Sequence, residues 1–102
     1  MKNTNNSIMQ KGKFCYVCYK LYPLHKHHVY GGRNRTVSDD NGFWVWLCAD
    51  HHTGDHGVHN LHHADLFLKR TCQAIYEKDH THEDFMELIG KNYLGVSDES
   101  TT

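Results

Sequence analysis

The chain has 102 residues, of which 38% are hydrophobic and 23% are charged, and its formal net charge is −1. This length accommodates one domain, and the composition argues against a wholly disordered chain and against a membrane protein. The small net charge conceals an uneven distribution, because seven Lys and Arg residues and no acidic residue precede Asp39. The basic first part of the chain favours a negatively charged partner.

The sequence shows neither the apolar run of a signal peptide nor a stretch long enough to span a bilayer. We therefore expect a cytoplasmic protein whose four cysteines are reduced rather than paired in disulfides. Residues 1–10 and 97–102 are polar and lack periodicity. This predicts a flexible tail on either side of a single domain at residues 11–96.

The first part of this domain is predicted to form an irregular β-hairpin. A predicted strand over residues 26–30 is ended by the Gly-Gly pair at 31–32. A polar loop is predicted over residues 34–42. The aromatic and β-branched residues 43–47 predict the second strand.

The second part is predicted to be helical. A histidine-rich segment at 48–60 is followed by apolar residues with i, i+3, i+4 spacing, which predict a long helix over about 61–75. Thr81, with Asp84 three residues later, predicts the capping box of another helix, and Gly90 predicts where that helix ends. The fold class is therefore predicted to be α+β.

Two pairs of residues with the same spacing predict a structural zinc site. Cys15-x-x-Cys18 and Cys48-x-x-His51 together form a Cys₃His set, a known arrangement for structural zinc. The βαβ context of a thioredoxin-like redox pair is absent from the sequence pattern. Cys72 falls inside the predicted long helix and is expected to be a small buried side chain.

The histidines predict a second site. Nine of the 11 histidines lie within residues 25–63, and imidazole is both a common metal ligand and a common general base. If His51 binds zinc, the adjacent His52 points elsewhere, and His27 and His28 point to opposite sides of the first strand. Imidazoles are thus left over for a site separate from the zinc.

Several motifs resemble those of the HNH (His-Me finger) nucleases. The resemblance covers roughly residues 14–95 and implies a small zinc-stabilised ββα-metal domain, with its core at about 14–63 and a helical extension at about 61–95. Three motifs carry it: Cys15-x-x-Cys18, Lys26-His27-His28-Val29 and Trp46-Leu47-Cys48-x-x-His51-His52. Three further strings are similar to small HNH proteins encoded by phages and prophages: His28-Val29-Tyr30-Gly31-Gly32-Arg33-Asn34-Arg35, Gly57-Val58-His59-Asn60 and Gly90-Lys91-Asn92-Tyr93-Leu94.

The resemblance implies a role for each histidine of the second site. His27 and His52 would bind one catalytic divalent cation, and His28 would be the general base that activates water. His59 would complete the metal site, with His56 as the alternative. The identity of the cation is left open among Mg²⁺, Mn²⁺, Ni²⁺ and Zn²⁺.

The asparagine in the middle of the family motif has no direct counterpart, because Phe43 stands at its usual place. Asn41 is close but displaced. Asn34, between Arg33 and Arg35, is the other candidate for this catalytic position.

The resemblance therefore implies a metal-dependent endonuclease that hydrolyses DNA with little sequence specificity, encoded by a phage or prophage and acting in the cytoplasm of a bacterial host cell. It implies DNA as a partner, together with a second copy of the chain or phage recombination or packaging proteins, and no membrane. The alternative is a non-catalytic zinc module that binds DNA or a protein. Nicking or double-strand cleavage, and DNA or RNA as substrate, are left open.

Phosphate contacts are expected from the basic residues around the second site, since arginine binds phosphate in a bidentate way. Trp44 and Trp46 are able to stack on bases, but their strand pattern favours packing in the core. The four basic residues expected to contact nucleic acid are Lys20, Lys26, Arg33 and Arg35.

Overall fold

The structure, a computed structural model, describes residues 6–55 and 57–94. These residues form an α+β fold with one two-stranded antiparallel sheet. The elements in chain order are β1 (Leu24–His28), a 3₁₀ turn (Gly32–Asn34), α1 (Arg35–Asn41), β2 (Trp44–Cys48), α2 (Ala49–His52), α3 (His62–Tyr76) and α4 (His82–Ile89).

The pairing of β1 with β2 sets which histidines share a face of the sheet. The register runs from Leu24 opposite Cys48 to His28 opposite Trp44. Because successive side chains of a strand alternate between faces, His25 and His27 share one face and His28 belongs to the other. The two strands predicted from the sequence are present, with β1 two residues earlier and β2 one residue later in the chain than predicted.

The predicted loop over residues 34–42 is wrong in part, because helix α1 occupies Arg35–Asn41. The segment lacks an apolar stripe, and Ser38 is its one buried residue. The Ser38 hydroxyl donates to the carbonyl oxygen of Tyr30 at 2.7 Å and accepts from the Tyr30 amide at 3.2 Å. The helix is thus stabilised by a tertiary contact to the end of β1, which periodicity does not reveal.

An aromatic cluster joins the hairpin to the helices. Tyr30 packs edge-to-face against Phe43 and Phe85, with both ring centroids 5.6 Å away. All three rings are buried. The Tyr30 hydroxyl donates to the carbonyl oxygen of Lys69 in α3 at 2.6 Å, so its polar end is satisfied inside the core.

The helical prediction for the second part is confirmed. Helix α4 begins with the reciprocal capping box of Thr81 and Asp84 and ends at Gly90, whose φ of 86° lies in the left-handed region. Cys72 is fully buried in α3, as expected. None of the helices in the described part of the chain is both long and apolar enough to cross a membrane.

Residues 6–10, which the sequence pattern places in a tail, contact β2. The Ser7 hydroxyl donates to the Trp44 carbonyl oxygen, and the Trp46 amide donates to Gln10 Oε1 at 2.6 Å. Met9 is buried. These contacts join side chains of the segment to backbone groups of β2 and are not strand pairing. The composition of the segment therefore does not predict them. The predicted tail at 97–102 lies outside the described residues.

The buried Gln73 side chain holds the segment that follows α4. Its Oε1 accepts from the Tyr93 amide at 2.8 Å, and its Nε2 donates to Asn92 Oδ1 at 2.8 Å. We expect Gln73→Met to lower the free energy of unfolding by about 1–3 kcal/mol, because it leaves these groups unpaired. Urea denaturation measures this.

Lys78→Met is the matched control, because Lys78 is exposed beyond the end of α3 and receives the same new side chain. Equal midpoints for the two variants would contradict the assigned role of Gln73.

Candidate metal centres

The predicted Cys₃His set comes together in the structure. The ligand atoms of Cys15, Cys18, Cys48 and His51 all lie within 4.8 Å of one another. Cys18 Sγ is 3.8 Å from Cys48 Sγ, and His51 Nδ1 is 3.3 Å from Cys48 Sγ and 3.7 Å from Cys15 Sγ. Two sulfurs bound to a tetrahedral zinc stand about 3.8 Å apart, since each Zn–S bond is about 2.3 Å. The cluster therefore has the dimensions of a closed four-ligand site.

Two tight turns present these ligands. The Tyr19 amide donates to the Cys15 carbonyl oxygen at 2.8 Å, which closes the first turn, and Tyr19 adopts a positive φ of 67°. Cys48 is the N-cap of α2, so His51 follows it on the same side of one helical turn. The Tyr16 amide donates to the Trp46 carbonyl oxygen at 2.8 Å and thereby ties the first turn to β2.

The environment of Cys15 favours the thiolate form that binds metals. Burial opposes ionisation, but hydrogen bonds from neighbouring backbone amides and from the His51 side chain together outweigh it and lower the Cys15 pKa to about 6. Cys72 has the opposite environment, because burial raises the pKa of its thiol to about 12. The fourth cysteine is thus chemically separate from the cluster.

A second cluster is formed by His27, His52 and His59, whose ligand atoms also lie within 4.8 Å of one another. His52 Nε2 and His59 Nε2 are 3.1 Å apart. The His27 ring lies 5.4 Å from that of His52 and 5.3 Å from that of His59, nearly perpendicular to both. The structure brings together the three histidines that the resemblance implied as ligands.

The state of His27 fits a metal ligand. Its Nε2 is buried and has no hydrogen-bond partner within residues 6–55 and 57–94. Burial first, and then the neighbouring His52 and His59, lower the His27 pKa to about 4, so this imidazole is neutral near pH 7. A buried nitrogen without a partner costs about 1–3 kcal/mol, and a cation would satisfy it.

A tight loop after α2 returns His59 to His52. The His59 amide donates to the His52 carbonyl oxygen at 3.2 Å. Gly57 is required in this loop, because a Cβ there would lie 2.7 Å from the His52 carbonyl carbon. His56, the alternative ligand, lies outside the described residues.

An open cleft of about 440 Å³ lies beside the second cluster. Its walls carry His27 and His28 from β1, His59 from the loop, and Asp65 and Lys69 from α3. Lys69 Nζ is paired with Asp65 Oδ2 at 2.6 Å. The sequence pattern did not single out these two α3 residues, because charges on the polar face of a helix usually face solvent.

His28, the predicted general base, is held by a carboxylate that the sequence did not reveal. His28 Nε2 is 3.2 Å from Asp39 Oδ1, and the same oxygen accepts from Lys26 Nζ at 2.7 Å. The Lys26 ammonium, and then His28, hold the Asp39 pKa below its usual value. If His28 donates its Nε2–H to this carboxylate, its Nδ1 retains the lone pair that a base needs.

Both asparagines proposed for the catalytic position are engaged elsewhere. Asn34 Nδ2 donates to the Ile89 carbonyl oxygen at 3.0 Å and so caps the end of α4. Asn41 Nδ2 donates to the Val37 carbonyl oxygen at 2.9 Å, within its own helix. Asp39, not either asparagine, contacts the imidazole of His28.

The residues expected to bind nucleic acid divide into two groups. Lys26 is engaged by Asp39, and its ammonium lies 4.4 Å from the centre of the Trp44 ring. Trp44 is 5% exposed, which fits the expected packing role. The exposed members of the predicted set are Lys20, Arg33 and Arg35.

Comparison of the chain with protein-family models, with curated proteins and with solved structures finds no match. The two clusters and the cleft beside them therefore carry the functional inference, together with the motifs that resemble HNH nucleases.

We expect Cys48→Ser to lose about one zinc ion per chain relative to the unaltered protein and to melt at a lower temperature, because a four-ligand structural site loses a thiolate. Elemental analysis and thermal unfolding measure the two effects.

Cys72→Ala is the matched control, since it removes a buried thiol that lies outside the cluster. Its zinc content should equal that of the unaltered chain. Equal zinc in the Cys48→Ser variant would remove Cys48 from the ligand set.

Proposed function

We propose that this protein is a metal-dependent endonuclease that hydrolyses phosphodiester bonds in DNA. The observation that carries the proposal is that two members of the three-histidine cluster, His27 and His59, line the same cleft as His28, which also contacts Asp39. Such a combination supplies a cation site and a neighbouring base, which are the two requirements for hydrolysing a charged ester.

The difference between the two clusters supports this assignment. The Cys₃His set offers four ligands, the number typical of a closed structural site. The histidine set offers three, the number typical of catalytic sites that keep a position open. A protein that used metal only for stability would have no need of the second cluster.

The order of the elements supports a ββα-metal fold as part of the same proposal. His27 and His28 lie on β1, and His52 lies on α2, which directly follows β2. This arrangement resembles that implied by the HNH motifs. His51 and His52 are adjacent in α2 but serve different clusters, so the structural site orients the catalytic one.

We assign parts in the proposed reaction to His28 and to Asp39. His28 accepts the proton of the attacking water at the nitrogen that does not face Asp39, and Asp39 orients the ring and stabilises its protonated form. When bound, a divalent cation offsets the negative charge that develops on the phosphate and the leaving oxygen. Lys69 lines the same cleft, where its ammonium is paired with the carboxylate of Asp65.

The ligand set narrows the choice of cation. Imidazole nitrogens suit zinc, nickel and other transition metals, whereas Mg²⁺ prefers oxygen ligands. Three histidines therefore favour Zn²⁺ or Ni²⁺ over Mn²⁺ and Mg²⁺. Contacts from exposed Arg33, Arg35 and Lys20 to phosphates would add affinity without sequence selectivity.

A second candidate function is a non-catalytic module that binds a protein. Apolar side chains are exposed around the first cysteine turn and on α3, and an open groove lies between them. Exposed apolar patches of this kind mark interaction surfaces. The exposed large residues are Val17, Tyr19, Leu21, Tyr22 and Phe67.

A cleavage assay separates the two candidates. The purified protein is incubated with supercoiled plasmid and Zn²⁺, Ni²⁺, Mn²⁺ or Mg²⁺ in turn, and nicked and linear products are counted. We expect His28→Ala to slow cleavage by about 10²–10⁴-fold, the contribution of a general base. Its metal content should be unchanged, because His28 is outside both ligand clusters.

His63→Ala is the matched control, since His63 is an exposed histidine of α3 that faces the apolar groove instead of the cleft. It should cleave at the unaltered rate. Failure of the unaltered chain to cleave with any of the four metals would favour the binding module.

A further inference from the structure

We propose that His25 is a positioning residue that keeps the Nε2 lone pair of His52 directed at the three-histidine cluster. The inference rests on the proposed function of that cluster. His25 is not one of the three histidines, yet its Nδ1 lies 3.1 Å from His52 Nδ1. The two rings meet edge-on, with centroids 5.1 Å apart.

Both ring nitrogens of His52 are accounted for by neighbouring histidines. Its Nε2 lies 3.1 Å from His59 Nε2, within the cluster, and its Nδ1 faces His25. A neutral imidazole carries a single N–H, and a metal ligand needs a nitrogen without hydrogen. If Nε2 is the ligand, the hydrogen is on Nδ1 and His25 Nδ1 accepts it.

This hydrogen bond has a known purpose in metal sites. A histidine ligand usually donates its second N–H to an acceptor, which sets both the tautomer and the orientation of the ring. The acceptor is commonly a carboxylate or a carbonyl oxygen. Here the acceptor is another imidazole, whose own hydrogen then sits on Nε2 at an exposed position of β1.

The strand explains why His25 reaches this place. His25 and His27 are two residues apart in β1 and therefore share a face of the sheet. Both rings contact the ring of His52, with centroids 5.1 Å and 5.4 Å away. His25 contacts the Nδ1 side of His52, so the same geometry that makes it an acceptor excludes it from the ion at Nε2.

The test reads the tautomer and the metal affinity separately. The protein is labelled with ¹⁵N-histidine and kept with its Cys₃His zinc but without added metal, and long-range ¹H–¹⁵N spectra are recorded. We expect His52 to have an unprotonated Nε2, and His25→Ala to shift it toward a mixture of both tautomers. His25→Gln should restore the first state, because its side-chain carbonyl oxygen can accept the same hydrogen bond.

Nickel affinity is then measured by calorimetry on the same set of proteins. We expect His25→Ala to weaken Ni²⁺ binding by about 10–100-fold, the usual effect of losing such a partner. The His25→Gln variant should bind within a few-fold of the unaltered chain. His63→Ala, an exposed histidine outside the cluster, should change neither the spectra nor the affinity.

Two results would overturn the role of His25: a protonated Nε2 on His52 in the unaltered chain, or equal Ni²⁺ affinity in the His25→Ala variant. Both are independent of cleavage. A chain with the expected spectra and affinities that cleaves no plasmid would refute the proposed function and leave the His25 contact established.

Discussion

The Cys48–His51 turn is the constraint on which the rest of this structure depends. Helix α2 is four residues long, far too short to be stable by its own hydrogen bonds. Its position is set because Cys48 and His51 share a cluster with Cys15 and Cys18, which belong to a turn 30 or more residues earlier in the chain. Helix α2 has no buried residue of its own, so the contacts among these four side chains hold it in place.

The cysteine turn also supports the sheet and, through it, the cleft. A two-stranded hairpin is marginally stable alone, so it needs support from both of its ends. One end is held by the cysteine turn, through the hydrogen bond from Tyr16 to Trp46. The other is held by Tyr30, Phe43 and Phe85 in the aromatic cluster. The histidine cluster lies between these two contacts, and the short strands and helix that carry it depend on them for their stability.

The Cys₃His cluster could be predicted from the sequence because its spacing encodes it, whereas the choice of His27, His52 and His59 came from the resemblance to HNH nucleases. Two Cys or His residues three positions apart in a tight turn are typical of a metal site. The side chains of adjacent histidines on a strand or a helix point in different directions. The capping box at Thr81 was visible for a similar reason, since its partner is only three residues away. Both the Cys-x-x-Cys spacing and the capping box lie within a few residues of chain, which is why the sequence alone predicts them.

The features that the sequence did not reveal depend on contacts between distant segments. Asp39 stands in a polar stretch, and only the helix that Ser38 anchors to Tyr30 brings it to His28. Gln10 reaches Trp46 from a segment with no apolar pattern. Asn34 donates to the Ile89 carbonyl oxygen, which lies 55 residues further along the chain, so no local pattern could predict this contact.

The adjacency of His51 and His52 constrains which sequence changes α2 can tolerate. Inserting or deleting one residue in α2 before His51 would rotate the histidines that follow by about 100°. A single such change would therefore disrupt both clusters at once.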